Sequence, residues 1–200
     1  MIFLNVWALS LLALFYFVFI GRTILLALRG INPFALGKGK SGFRRVVELF
    51  FFAGLLYWTW EVIDAAAGLK VALLSGLFYR SVFNHIYLKG LGCLLLLGGF
   101  ILFSGALFSF GASWRIGIDH HRPGELVTSG IFAVSRNPIF LALDFYFLGM
   151  ALIYGTPVFI LTFLLTVVGI HYQILQEERF LKERYREKYR EYRRTVRRYL

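Results

Sequence analysis

The sequence is short of charge, of acidic charge above all, and of cysteine. Charged residues make up 16% of the 200, with 11 Asp and Glu against 22 Lys and Arg, whereas 58% are apolar and 18% aromatic. So thin a polar complement excludes an ordinary water-soluble globular domain. Cys93 is the single cysteine, which excludes an intramolecular disulfide; inside an apolar run it reads as a small buried hydrophobe. The first run, Met1 to Ile20, lacks the basic start and small-residue cleavage site of a signal peptide and is long enough to span a bilayer, so it reads as a retained helix. No internal repeat, low-complexity tract or long linker divides the chain. His120 and His121 lack the partner spacing of metal ligands and read as surface residues, so no metal site is expected.

Long apolar runs fill the space that charge leaves. A bilayer is crossed by about 20 mostly apolar residues in a helix. That length predicts an all-α polytopic membrane protein with about five spans, at 2–20, 46–66, 88–110, 138–154 and 156–175. Residues 69–88 carry Arg80, Asn84 and His85 and read as a short external or re-entrant segment. The formal charge of +11 is not that of a nucleic-acid binder, because ten of the basic residues follow Glu177 and most others sit between apolar runs. That distribution marks a cytoplasmic side facing anionic headgroups. Between Gly21 and Arg45 stand Arg22, Arg29, Lys38, Lys40, Arg44 and Arg45 with no acidic residue. The positive-inside rule therefore places the N-terminus outside and the C-terminus in the cytoplasm, with Arg115, Arg122 and Arg136 on the cytoplasmic side.

Beyond the last span, Leu181, Tyr185, Tyr189, Tyr192, Val196 and Tyr199 recur at helical spacing among charged residues. They form one face of an amphipathic cytoplasmic helix, which on this evidence lies on the membrane surface.

Two elements carry possible chemistry. In Leu126–Ala142, Gly130 permits a turn or a close approach and Pro138 suits a first helical turn, which puts Arg136 and Asn137 at the mouth of the fourth span. Such an end suits a carboxylate; alternatively Arg136 is a positive-inside anchor and Asn137 a cap. The second element is Glu177-Glu178, just past the fifth span, where one carboxylate can hold a ligand ammonium and the other position Arg136 or Arg193. The plainer alternative is a surface pair of Glu178 with Lys182. Asp144 and His171 lie within predicted spans, where ionisable groups either line a substrate path or bond between helices. Glu48, Glu61 and Asp64 fall near helix ends and need no catalytic explanation.

The ordered set Leu126-Val127, Gly130-Ile131-Phe132, Arg136-Asn137-Pro138, Phe140, Glu177-Glu178, Leu181, Tyr185, Tyr189, Tyr192 and Val196 resembles the isoprenylcysteine carboxyl methyltransferases and their relatives, the membrane phospholipid methyltransferases. The resemblance covers roughly 112–198. Asn137 stands where that pattern has histidine, Ala142 where it has glycine, and Arg186 where it has the glycine after an aromatic. Asparagine keeps a donor and an acceptor but cannot titrate, which removes any acid–base role at that position.

The resemblance implies an S-adenosylmethionine-dependent methyltransferase with its cofactor between the cytoplasmic ends of the last two spans, closed over by the tail. Leu126, Val127, Gly130 and Ile131 would meet the adenosine part; Arg136, Asn137, Pro138 and Glu177 the methionine end, with Tyr189 and Tyr192 as walls. Arg136, Glu178 and Arg193 would orient the reaction, and Asp144 and His171 would line the path of a lipophilic methyl acceptor arriving from the bilayer. Residues 1–110 would then set acceptor specificity and 111–200 form the cofactor-binding core. Competing expectations are an NADPH-dependent membrane reductase of related fold, which would be longer, and a non-catalytic lipid-binding or assembly protein.

Overall fold

The computed structural model describes residues 2–31, 42–69, 71, 73–111 and 125–200, with residues 42–51 described by backbone alone. Lys38, Lys40, Arg115, His120, His121 and Arg122 lie outside the described residues, as does the start of the 111–200 region. Five helices follow in order: α1 (Ile2–Leu28), α2 (Gly42–Ala67), α3 (Ile86–Phe110), α4 (Pro138–Tyr154) and α5 (Pro157–Thr195). Single turns of 3-10 helix occur at Gly76–Tyr79 and Gly130–Ala133, and the described residues contain no strand.

Three helices, α1, α3 and α5, are long and apolar enough to cross a membrane; α4 is apolar but shorter. Their outward faces are unlike those of a water-soluble bundle, since Phe3, Phe17, Leu94, Phe108, Leu165 and Val168 are largely exposed. An apolar solvent accounts for such faces, and the protein is an integral membrane protein. Inside, Ala8 and Leu11 of α1, Trp58 and Val62 of α2, Leu96 of α3, Tyr146 and Met150 of α4, and Phe159 of α5 form the main core. Trp58 lies edge-on to Tyr146 and donates its indole N–H to the Tyr146 hydroxyl at 3.4 Å.

The α3–α4 contact is the tightest in the bundle. A Cβ on Gly92 would lie 2.7 Å from the Gly149 carbonyl oxygen, one on Gly149 2.8 Å from that of Gly92, and one on Gly99 2.8 Å from that of Ala142. Two small-residue pairs seven residues apart thus bring the antiparallel backbones into direct contact, the usual way for helices to associate in lipid. Ala142, at a position where the resembling sequences carry glycine, is one half of this seam.

Several boundaries differ from the sequence expectation. α1 runs through Arg22 to Leu28, and Arg22 donates to the Gly111 carbonyl at the end of α3, tying those two ends together. The 69–88 segment does not span. Its 3-10 turn and the following extended residues cover the α4–α5 hairpin, with the Val82 N–H bonded to the Gly155 carbonyl at 2.7 Å. Gly155 closes α4 at φ 62°, and Phe83 packs where its side chain would be. At this same end Glu61 and Asp64 are buried, taking bonds from the Tyr79 hydroxyl (3.0 Å) and the Val71 N–H (2.8 Å), which gives both carboxylates structural partners.

The largest difference is in α5. The expected separate amphipathic helix is a continuation of α5, bent at Arg186, whose φ of 44° and ψ of −109° are non-helical. The bend turns Tyr189, Tyr192 and Val196 inward against Leu126, Leu181 and Tyr185. This apolar face is buried against protein rather than laid on a lipid surface.

Candidate functional site

The site lies at the end of the bundle opposite the α4–α5 hairpin. Three stretches meet there: the turn into α4, the α5 segment after its apolar run, and the tail. Gly130 opens the turn at φ 63°, a conformation open to glycine, and Ser109 of α3 fills the space a side chain would need. Ser109 Oγ also accepts from the Ile131 N–H at 3.4 Å, fixing the turn to α3. The chain enters α4 at Pro138, with Asn137 in the capping position. Its side chain does not cap: Nδ2 donates instead to the Arg198 carbonyl at 3.1 Å.

At the centre is Arg136, whose side chain is 8% exposed. Its Nη1 lies 3.2 Å from Glu178 Oε1 and donates to the Tyr189 hydroxyl at 3.1 Å. The buried Nε has no hydrogen-bond partner among the described residues. A buried guanidinium donor without a partner is costly, and this one is free to take an acceptor atom. Glu178 also takes Arg198, Nε at 3.0 Å on one oxygen and Nη2 at 2.8 Å on the other. Burial pushes the Glu178 carboxyl up, but the Arg198 hydrogen bonds and the charges of Arg136, Arg198 and Arg193 outweigh it and hold the group below its ordinary value.

Tyr192 donates to the Phe132 carbonyl at 2.6 Å, pinning α5 beyond its bend to the 130–133 turn. Leu126 packs against Tyr189 and Tyr192; Val127 is half-buried beside it. The tail after α5 is extended and runs back across the α4 entrance. The Arg136 N–H donates to the Arg197 carbonyl at 3.0 Å, and Ser135 Oγ lies 3.4 Å from the Arg198 carbonyl.

The structure thus brings together Arg136, Asn137, Glu178, Tyr189 and Tyr192, with Leu126, Gly130, Ile131 and Pro138 beneath them. Arg193 is exposed and makes no ion pair with Glu178, but its charge reaches that carboxylate from the rim. Glu178 pairs with Arg136, as one of the two arginines expected, and its second partner is Arg198 rather than Arg193 or Lys182. Glu177 faces away from this pair and accepts from Gln173 Nε2 at 3.3 Å. It lies past the apolar stretch of α5, and burial pushes its carboxyl up to about 7, the Gln173 bond pulling the other way. Asp144 and His171 sit two turns deeper, on α4 and α5. His171 is joined to the site through Tyr199, whose hydroxyl is 2.7 Å from His171 Nδ1 and whose ring stacks on the imidazole. Asp144 Oδ1 is buried without a hydrogen-bond partner among the described residues.

Sequence reasoning missed Arg198, Ser135 and Tyr199 as site residues. Arg198 and Tyr199 stood in the basic ending, where nothing local distinguishes a paired arginine from a solvated one.

The phospholipid methyltransferase family profile matches residues 88–188, which is α3, α4 and most of α5. The chain belongs to the phospholipid methyltransferase family. No curated protein and no solved structure matches the chain significantly. The matched stretch begins at α3, earlier than the resemblance drawn from motifs alone, so it includes the glycine seam as well as Arg136, Glu177 and Glu178. It ends short of Tyr189 and the tail.

Proposed function

We propose that this family member is an integral membrane S-adenosylmethionine-dependent methyltransferase that modifies a lipophilic acceptor (a carboxylate, amine or thiol) at the cytoplasmic face. The observation that carries the reading is the buried Arg136–Glu178 pair with its open Nε, set at the mouth between α4 and α5. The amino-acid end of the donor has a carboxylate and an ammonium. Arg136 Nε and the Asn137 amide suit the first, and Glu178 the second, with Glu177, turned toward Gln173, off to the side. Leu126 and Val127 offer an apolar shelf beside it, the 130–133 turn a close backbone approach, and Tyr189 and Tyr192 walls.

The donor supplies a methyl group already activated on a sulfonium. The protein's part is then to bind, orient and keep water out. The Arg136 guanidinium is held by Glu178 and Tyr189 and its backbone N–H by the tail carbonyl, and a fixed guanidinium orients a carboxylate better than a free one. Acceptor entry falls to the lipid-facing side of α4 and α5 toward Asp144 and His171, with residues 1–110 setting specificity. The described charges are compatible with an outside N-terminus and a cytoplasmic site, since Arg22, Arg136 and the basic end of α5 share one end of the bundle.

Calorimetric titration of S-adenosylmethionine into the purified protein tests the reading. Arg136→Ala should weaken binding by about a hundredfold, the scale of a lost charge-assisted pair. Failure of the intact protein to bind would overturn it.

A further inference from the structure

Apart from the Ser135 hydroxyl, which also reaches the Arg198 carbonyl, the polar contacts of the tail fall on residues assigned above to donor or acceptor binding. The Arg197 carbonyl takes the Arg136 N–H, the Arg198 carbonyl takes Asn137 Nδ2, the Arg198 guanidinium forks Glu178, and the Tyr199 hydroxyl meets His171. Arg198 alone presents a carbonyl oxygen to the Asn137 amide and a cation to the Glu178 carboxylate. These are the two complementary groups, one oxygen acceptor and one cation, that the free end of an amino acid carries.

We propose that Arg198 is a built-in pseudo-ligand: the tail occupies the subsite for the zwitterionic end of the methyl donor, and donor binding requires the tail to leave it. The inference rests on the methyltransferase reading and adds a competition to it. The tail is well made for exchange. It is extended rather than helical, Val196 ending α5 at φ −119° and ψ 132°, so its release breaks side-chain and carbonyl contacts but no helical ladder. Its cation is only partly buried, with the Arg198 side chain 34% exposed against 8% for Arg136. Arg136 is therefore the fixed half of the site and Arg198 the removable half. A site whose competent state is only partly populated binds with an affinity reduced by that fraction.

Two variants test the competition, with donor binding read by calorimetry on the full chain in detergent. Arg198→Ala removes the competing cation and should tighten S-adenosylmethionine binding by about tenfold. A tail that acts as a fixed cover predicts the reverse, so unchanged or weaker binding overturns the proposal. The second variant carries His171→Cys and Tyr199→Cys in a Cys93→Ser background, and a short bifunctional methanethiosulfonate fastens the tail to α5. Cross-linking should abolish binding in a protein that stays helical by circular dichroism, and a thiol reductant should restore it. Full binding by the cross-linked form overturns the proposal even where Arg198→Ala misfolds. If wild type and every variant fail to bind the donor, the methyltransferase reading falls and the pseudo-ligand with it. Binding by wild type without the expected responses removes the competition alone.

Discussion

Arg198 forks Glu178 with both ends of its guanidinium, Nε on one carboxylate oxygen at 3.0 Å and Nη2 on the other at 2.8 Å. One carboxylate thereby holds the tail and the entrance to α4 together, because its Oε1 also faces Arg136. Glu178→Gln should leave Arg136 buried beside a neutral amide. Removal of one partner from a buried pair costs about 3–5 kcal/mol, toward the lower end here because Arg198 is partly solvated. Thermal unfolding in detergent should show the loss, with Asp the better replacement.

The two adjacent glutamates should respond to pH in opposite senses. Glu178 is held below its ordinary value, so its contribution is present above the unfolded pKa of about 4.3 and is lost as pH falls through the lower folded value. Glu177 is raised to about 7, so the folded state keeps a proton that the unfolded state has released, and stability falls as pH rises from about 4.3 towards 7. Glu177→Gln should flatten the second slope and leave the first. Unfolding midpoints from about pH 2 to 8 separate the two, and a slope unchanged by the variant would dissociate it from Glu177.

Arg186 should be better as glycine. Its φ of 44° with ψ of −109° lies where a Cβ is strained, at a cost of about 1–3 kcal/mol. Arg186→Gly should therefore raise the unfolding midpoint despite loss of a helix former, and Arg186→Val should lower it. A midpoint that drops in the glycine variant would mean the bend is not a strained one.

The seam between α3 and α4 should tolerate no added atoms. Gly92→Ala or Gly149→Ala drives a methyl into the facing carbonyl, where backbone cannot step aside, and should cost about 1–3 kcal/mol. Gly90 and Gly105 have open space where a Cβ would go, and alanine there should be neutral or slightly stabilising through helix propensity. Side-by-side thermal unfolding of the four variants checks the contrast.

Much of this was legible in the chain and some was not. Apolar runs and basic segments announce a helical membrane protein because lipid demands both. Arg136 and Glu178 were legible through their places in an ordered motif set, and they do meet. The bend at Arg186 was not legible, because arginine favours a helix and only the backbone reveals the glycine-like conformation. Periodicity did not reveal the burial of Tyr189 and Tyr192, since an apolar face looks alike whether it meets lipid or Leu126; only the resemblance put them at the site. Arg198 carries no local mark of its partner, since its contact with Glu178 is made by the tail folding back.

The glycine seam has a mechanical consequence. With carbonyl oxygens of α3 and α4 already at the spacing of a methyl group from the opposing Cα, those two helices can neither slide nor approach, and they serve as a fixed post. Movement at the Arg136 end therefore falls to α5 and the tail, which close against this post through Tyr192, Arg197 and Arg198.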